Sequence, residues 1–322
     1  MKANKLRLDS RFLPLVGTIA VFLLTFGYGS FAYRGFFSAQ VFLNLLIDNG
    51  FLLILGVGMS FVILSGGIDL SVGSVIALTT MISAALIEHR HWSVWQTIPL
   101  VLLVGTVFGA FMGWLIQRFR LQPFIVTLAG MFLARGLCYL ISIDSIAITD
   151  PAYVAISEAR YALWDGAQVS VGAMLAVAML VIGIWLAHAT EFGRTVYAIG
   201  GSEASAMLMG LPVKRTMVLV YTLSGFCSAL AGVVFTFYML SGYGLHAVGS
   251  ELDAIAAVVI GGTLLSGGVG YVFGTLFGVL ILGSVQTLIA FDGSLSSWWT
   301  RIVIGALLFV FCLLQRAFEQ RK

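Results

Sequence analysis

Apolar runs long enough to cross a bilayer recur from one end of this chain to the other. Ten can be marked, at about Phe12–Phe31, Val41–Leu64, Leu70–Ile87, Ile98–Ile116, Phe124–Ile143, Val171–Ala187, Met217–Leu240, Leu252–Leu265, Phe273–Phe291 and Ile302–Leu314. A membrane-spanning helix needs about 20 apolar residues, since its backbone polar groups must be satisfied internally once water is gone. Ten helices would use about 200 residues and leave only short connections in a chain of 322. Composition agrees with this reading. Hydrophobic residues make up 60% of the chain and charged residues 10%, against about 25% charged in a soluble domain. A water-soluble globule could not cover so much apolar surface. The expected fold class is therefore all-α: a polytopic membrane protein of about ten transmembrane helices, with residues 1–322 as a single transmembrane domain. The run Leu252–Leu265 is short and carries glycine, so it reads as a full span with its flanks or as a broken or re-entrant segment. Eight spans result if two runs are re-entrant. The first run is too long for a signal-peptide core and precedes many others, so it reads as an uncleaved span.

Net charge is +3, too small to point to nucleic acid. The placement of the charges says more. With the N-terminus inside, Lys2, Lys5, Arg7, Arg11, Arg118, Arg120, Arg194, Lys214, Arg215, Arg316, Arg321 and Lys322 fall on the inner side, against Arg34, Arg90 and Arg160 outside. Cytoplasmic loops carry the excess of Lys and Arg, so an even number of spans and two cytoplasmic termini are expected. Trp92, Trp95, Trp298 and Trp299 lie at the expected outer ends, where amphipathic rings prefer the interface.

Two connections exceed a turn. About 144–170 lies outside and is mildly acidic. About 188–216 lies inside, and its centre, Ser202–Met209, is rich in helix formers. Ser202 is a natural N-cap, Glu203 suits the first turn, and Gly210 with Pro212 stops the helix. A short, exposed cytoplasmic helix follows from these local rules.

The 37 glycines include spaced sets, Gly56–Gly58, Gly105–Gly109–Gly113 and Gly274–Gly278, which let helices approach closely. Cys138, Cys227 and Cys312 sit in apolar runs and read as small hydrophobes. Leu64–Ile68 resembles Leu265–Val269, and Gly105–Gly109 resembles Gly274–Gly278. The two offsets differ, so one simple repeat does not explain both. The second pair would lie on spans of opposite direction, as an inverted repeat requires.

Much chemistry is missing. None of the four lysines follows a glycine, so no phosphate-binding Gly-Lys-Ser/Thr loop exists. No His-Glu-x-x-His pair is present either, and an enzyme is not expected. Ionisable residues within a bilayer are functional candidates because burying them is costly. They are Asp48 (beside Asn49), Asp69, Arg135, Glu251, Asp253 and Arg301. Asp69 can also cap a helix starting at Leu70. Glu251 and Asp253 can be first-turn acids, and Arg135 a structural bridge. There is no chain of buried acids of the kind proton-driven carriers use.

Several segments then resemble one family. Val62–Ser74 (VILSGGIDLSVGS) is similar to the hallmark of ribose-type sugar ABC importer permeases. Phe124–Met131 with Arg135-Gly136, Thr190–Arg194 with Tyr197–Gly200, and Glu251–Ala256 with Val259–Thr263 resemble its other blocks in the same order. Within the family, Glu251–Gly270 and Phe291–Thr300 most resemble permease subunits of bacterial galactofuranose importers. The resemblance implies a multi-pass protein of the bacterial inner membrane. It also implies a cytoplasmic ABC ATPase, a second and different permease subunit, a periplasmic sugar-binding protein and a monosaccharide substrate. No cofactor is bound by this chain, and ATP is used by the partner. Coupling to the ATPase is implied for Gly200, Gly201, Ser202, Glu203, Ala204, Ser205, Ala206, Met207 and Gly210. Ser202 stands where the family usually has Asn. Candidates for the translocation path are Asp48, Asn49, Phe124, Arg135, Glu251 and Asp253. A secondary carrier or channel for a small polar solute is the alternative.

Overall fold

The structure, a computed structural model, describes residues 13–164, 166–296 and 298–319. Lys2, Lys5, Arg7, Arg11, Arg321 and Lys322, half of the inner basic set, lie outside these residues. The chain forms α1 (Leu13–Ala32), α2 (Ala39–Asp48), α3 (Gly50–Leu64), α4 (Val72–Ala84, extended by a π-helical turn at Ala85–His89), α5 (Val94–Phe119) and α6 (Pro123–Ile141). Then come α7 (Pro151–Glu158), α8 (Val171–Ala189), α9 (Glu191–Gly201), α10 (Glu203–Leu208), α11 (Val213–Met239), α12 (Ser250–Ile260), α13 (Val272–Asp292) and α14 (Trp298–Glu319). Two small antiparallel pairs complete the described residues: β1 (Ile146–Ala147) with β4 (Ser241–Gly242), and β2 (Arg160–Trp164) with β3 (Ala167–Ser170).

Eight described helices are long and apolar enough to span a membrane, and α2 with α3 adds a ninth bent by 59°. The eighth run, Leu252–Leu265, yields only α12, whose 11 residues reach about 16 Å, half of a hydrocarbon core. The half-length helix matches the broken segment read from its glycines. The loop 261–271 completes its course.

Burial separates core helices from peripheral ones. Leu52 to Leu64 of α3 are buried without a break, as a helix apolar on every side must be. In contrast, α5 exposes Leu103 and Val107, and α6 exposes Phe132 and Leu140, apolar stripes that face out of the bundle. The long α11 packs against α3, α4 and α5. Its crossing with α5 is backbone on backbone: Gly105, Gly109 and Gly113 face Gly225, Tyr221 and Val218. Gly274 and Gly278 of α13 likewise meet the Gly261 and Ala257 carbonyls. The expected role of these spaced glycines holds, and Cys138 and Cys227 are buried as small hydrophobes.

Connections gather at two ends. One end, the ledge end, holds α9, α10 and the loops 65–71 and 261–271. The Gly268 N–H donates to Leu64 O at 2.9 Å, and Gly200 of α9 closes on both Leu64 O and the Gly268 backbone. The two Leu-Ser-Gly-Gly segments thus meet face to face. The opposite end holds the β-pairs, α7 and exposed Trp92, Trp95, Trp298 and Trp299.

Candidate translocation cleft and coupling ledge

A polar cleft opens in the half of the bundle away from the ledge. Its cavity of about 540 Å³ is lined by Asn44, Asp48, Asn49, Asp253, Gln286 and Thr287, with Phe51, Tyr238 and Phe291 as aromatic walls. The local sequence explains the bend that forms it. Asn49 interrupts a continuous apolar run, and its Nδ2 donates back to Leu45 O at 3.1 Å. Gly283 of α13 lets that amide approach, since a Cβ there would sit 2.7 Å from Nδ2. An adjoining cavity of about 550 Å³ shares Asp253, Gln286 and Ala290 and adds Thr300 and Arg301. The Arg301 guanidinium donates to both Asp253 oxygens, at 2.7 and 2.9 Å. It is the only ion pair among the described residues.

Three sequence candidates, Asp48, Asn49 and Asp253, meet in this cleft. The other three do not. Phe124 is at the ledge end, half exposed in the first turn of α6. Arg135 donates to the carbonyls of Gly244 and His246 at 2.7 and 2.8 Å, which straps the 243–249 connection to α6. Glu251 faces Gly73 of α4 and accepts from the Gly249 N–H at 3.3 Å. Asp69 also lies outside the cleft lining. Its Oδ1 accepts from the Ser71 N–H and hydroxyl, and its Oδ2 from the Ser224 hydroxyl at 2.7 Å, which fastens the 65–71 loop to α11.

Sequence reading missed Asn44, Tyr238, Gln286, Thr287 and Phe291. Two carried a signal. Gln40, Asn44 and Asp48 recur every fourth residue, so they share one helix face, and Gln40 Nε2 donates to Asn44 Oδ1 at 2.8 Å. Gln286 is the only amide side chain within α13.

The ledge follows its local rules closely. Ser202 caps α10 by accepting from the Ser205 N–H at 3.2 Å, and Gly210 takes φ +76° after the helix ends. The tip is apolar and open: Leu208 is 90% exposed and Met209 66%. Ala206, in contrast, is fully buried beneath the tip. Behind it, the Tyr197 hydroxyl of α9 donates to Gly270 O at 2.8 Å. Burial pushes its pKa up to about 12, so it remains a donor.

Residues 41–312 match the family described as "Branched-chain amino acid transport system / permease component". The chain belongs to this permease family. It is 55% identical over 306 residues to the inner membrane ABC transporter permease protein YjfF of Escherichia coli (strain K12), covering 95% of this chain and 92% of that protein. Identity to the fructose import permease protein FruG of Bifidobacterium longum is 40% over 317 residues, 97% of this chain and 93% of the other. The ribose import permease protein RbsC of Haemophilus influenzae is 40% identical over 250 residues, 77% and 76% of the two chains. No solved structure matches the permease. These relatives agree with the resemblance to ribose-type ABC importer permeases. The permease is a multi-pass inner-membrane protein, and its relatives are transport subunits by name.

Proposed function

We propose that the permease forms part of the path for a monosaccharide in an ABC importer and is driven by a partner ATPase that docks on α10. The observation that carries this reading is the cleft. Amides, a hydroxyl and two carboxylates converge there inside an otherwise apolar bundle, and they offer the donors and acceptors that sugar hydroxyls need. Phe51, Tyr238 and Phe291 can cover the apolar face of a sugar ring. The ledge end carries Arg118, Arg120, Arg194, Lys214 and Arg215, so the positive-inside rule turns it to the cytoplasm and the cleft toward the periplasm. A sugar-binding protein would deliver there, and a second, different permease would close the other wall. Residues 188–216 would be the coupling segment.

The sugar we assign is galactofuranose. The segments that resemble galactofuranose permeases, Glu251–Gly270 and Phe291–Thr300, supply Asp253, Phe291 and Thr300 to the two cavities. Reconstitution of the permease with its neighbouring ATPase and second permease tests this, using radiolabelled galactofuranose, galactopyranose and ribose. ATP-dependent uptake that favours galactofuranose is expected. Uptake without the ATPase would establish a carrier or channel, and preference for ribose would overturn the sugar assignment.

A further inference from the structure

A third cavity, of about 520 Å³, lies between α9 and the start of α11 at the ledge end, apart from the cleft. Arg194, Arg215 and Glu191 line it together with the apolar Phe192, Leu211 and Leu219, and Leu219 lies deepest along α11. Both arginines are exposed, and neither makes an ion pair among the described residues. Two guanidiniums against one carboxylate leave the lining positive. Leu219 lies six residues into α11, about 9 Å along its axis from Val213, yet it is 41% exposed within a span. The cavity therefore runs from a basic interface down to hydrocarbon depth.

That profile selects its occupant. A soluble anion has no use for an apolar floor inside the bilayer. An acidic protein segment would meet the arginines and leave Leu219 uncovered. A phospholipid satisfies both levels, since guanidinium forks match phosphate oxygens and basic pockets between helices at the interface capture anionic headgroups. We infer that this cavity binds an anionic phospholipid, with Arg194 and Arg215 holding the phosphate and Leu219 meeting the start of an acyl chain. Because α9 runs directly into α10 through Ser202, the lipid sits one helix behind the exposed tip.

Native mass spectrometry of the full-length permease in detergent tests the site, with dioleoylphosphatidylglycerol, dioleoylphosphatidylcholine or inorganic phosphate added. Phosphatidylglycerol should bind about 30-fold more tightly than phosphatidylcholine, the factor two interfacial basic residues carry. The double variant Arg194→Gln/Arg215→Gln should abolish that preference. The double variant Arg194→Lys/Arg215→Lys should keep most of it, which separates lost charge from a misfolded chain. Arg118→Gln/Arg120→Gln, on the same side, should change nothing. Equal binding of the two lipids, or equal loss in the Arg118/Arg120 control, would overturn the site. Displacement of the lipid by millimolar phosphate would reassign it to a free anion, and displacement by the ATPase would reassign it to a protein contact. Either result rejects the lipid.

Discussion

Gly225 of α11 faces Gly105 and Gly109 of α5, and a methyl group placed there has nowhere to go. A Cβ at Gly225 would overlap the Gly105 carbonyl oxygen and lie 2.8 Å from Gly109 Cα and 2.9 Å from Gly109 N. All three are backbone atoms, so no rotamer relieves the clash. The helices must part, and a gap of about 0.5–1 Å forfeits a quarter to a half of each dispersion contact across the crossing. Overpacking of this kind costs about 1–3 kcal/mol, and the better helix propensity of alanine returns about 0.5–1 kcal/mol. Three backbone contacts put the overpacking at the upper end of its range, about 2–3 kcal/mol, so Gly225→Ala should lose about 1–2.5 kcal/mol net. Gly136 of α6 is the control, because a Cβ there meets nothing within 4 Å; Gly136→Ala should be neutral or slightly stabilising. The assay heats the detergent-solubilised chain and follows the monodisperse fraction by size exclusion. At about 2–4 °C per kcal/mol, Gly225→Ala should melt about 2–10 °C lower than the natural sequence. The double variant with Gly109→Ala should lose less than the sum, since the first methyl makes room for the second. An unchanged melt for Gly225→Ala, or an equal drop for Gly136→Ala, would refute the reasoning.

Leu208→Asp at the exposed ledge tip should cut ATP-driven uptake at least several-fold with an unchanged melting temperature, whereas Ala206→Asp, at a fully buried position, should lower yield and stability first. Ser224→Ala removes one of the three hydrogen bonds on buried Asp69 and should cost about 1–3 kcal/mol by thermal melting; no loss would show that water replaces the hydroxyl. His246, in the 243–249 connection, has its pKa lowered by burial and then by Arg135. The open form thus binds the proton more readily, so stability should fall as pH drops below about 6.5, and His246→Gln should flatten that slope in melts compared at pH 7.5 and 5.5.

What the sequence revealed and what it hid divide along one physical line. The helix cap at Ser202, the stop at Gly210 and the spaced glycines of α5 are local rules, and each has its expected role. α9 carries Gly193, Gly200 and Gly201, which local propensity disfavours within a helix. Tertiary contact overrides that tendency, for glycine lets α9 lie against the Ala187 carbonyl at one end and Leu64 O at the other. The same limit governs the cleft. Asp48, Asn49 and Asp253 stood out because charge and amide are rare in apolar runs. Arg135 and Glu251 stood out for the same reason, yet they fasten the 243–249 connection, and only three-dimensional pairing separates the two groups. Tyr238 and Phe291 carry no sequence signal, since aromatic residues are common in every span.

The meeting of Gly200, Leu64 and Gly268 has a mechanical consequence. Side chains elsewhere in the bundle can change rotamer and absorb a small displacement. At this joint the main chains of Gly200, Leu64 and Gly268 meet directly, with no side chain between them. A push on α9 is therefore delivered without slack to the loops that lead into α4 and α13. Because α13 carries Gln286 and Thr287, this main-chain joint ties α9 to the wall of the cleft.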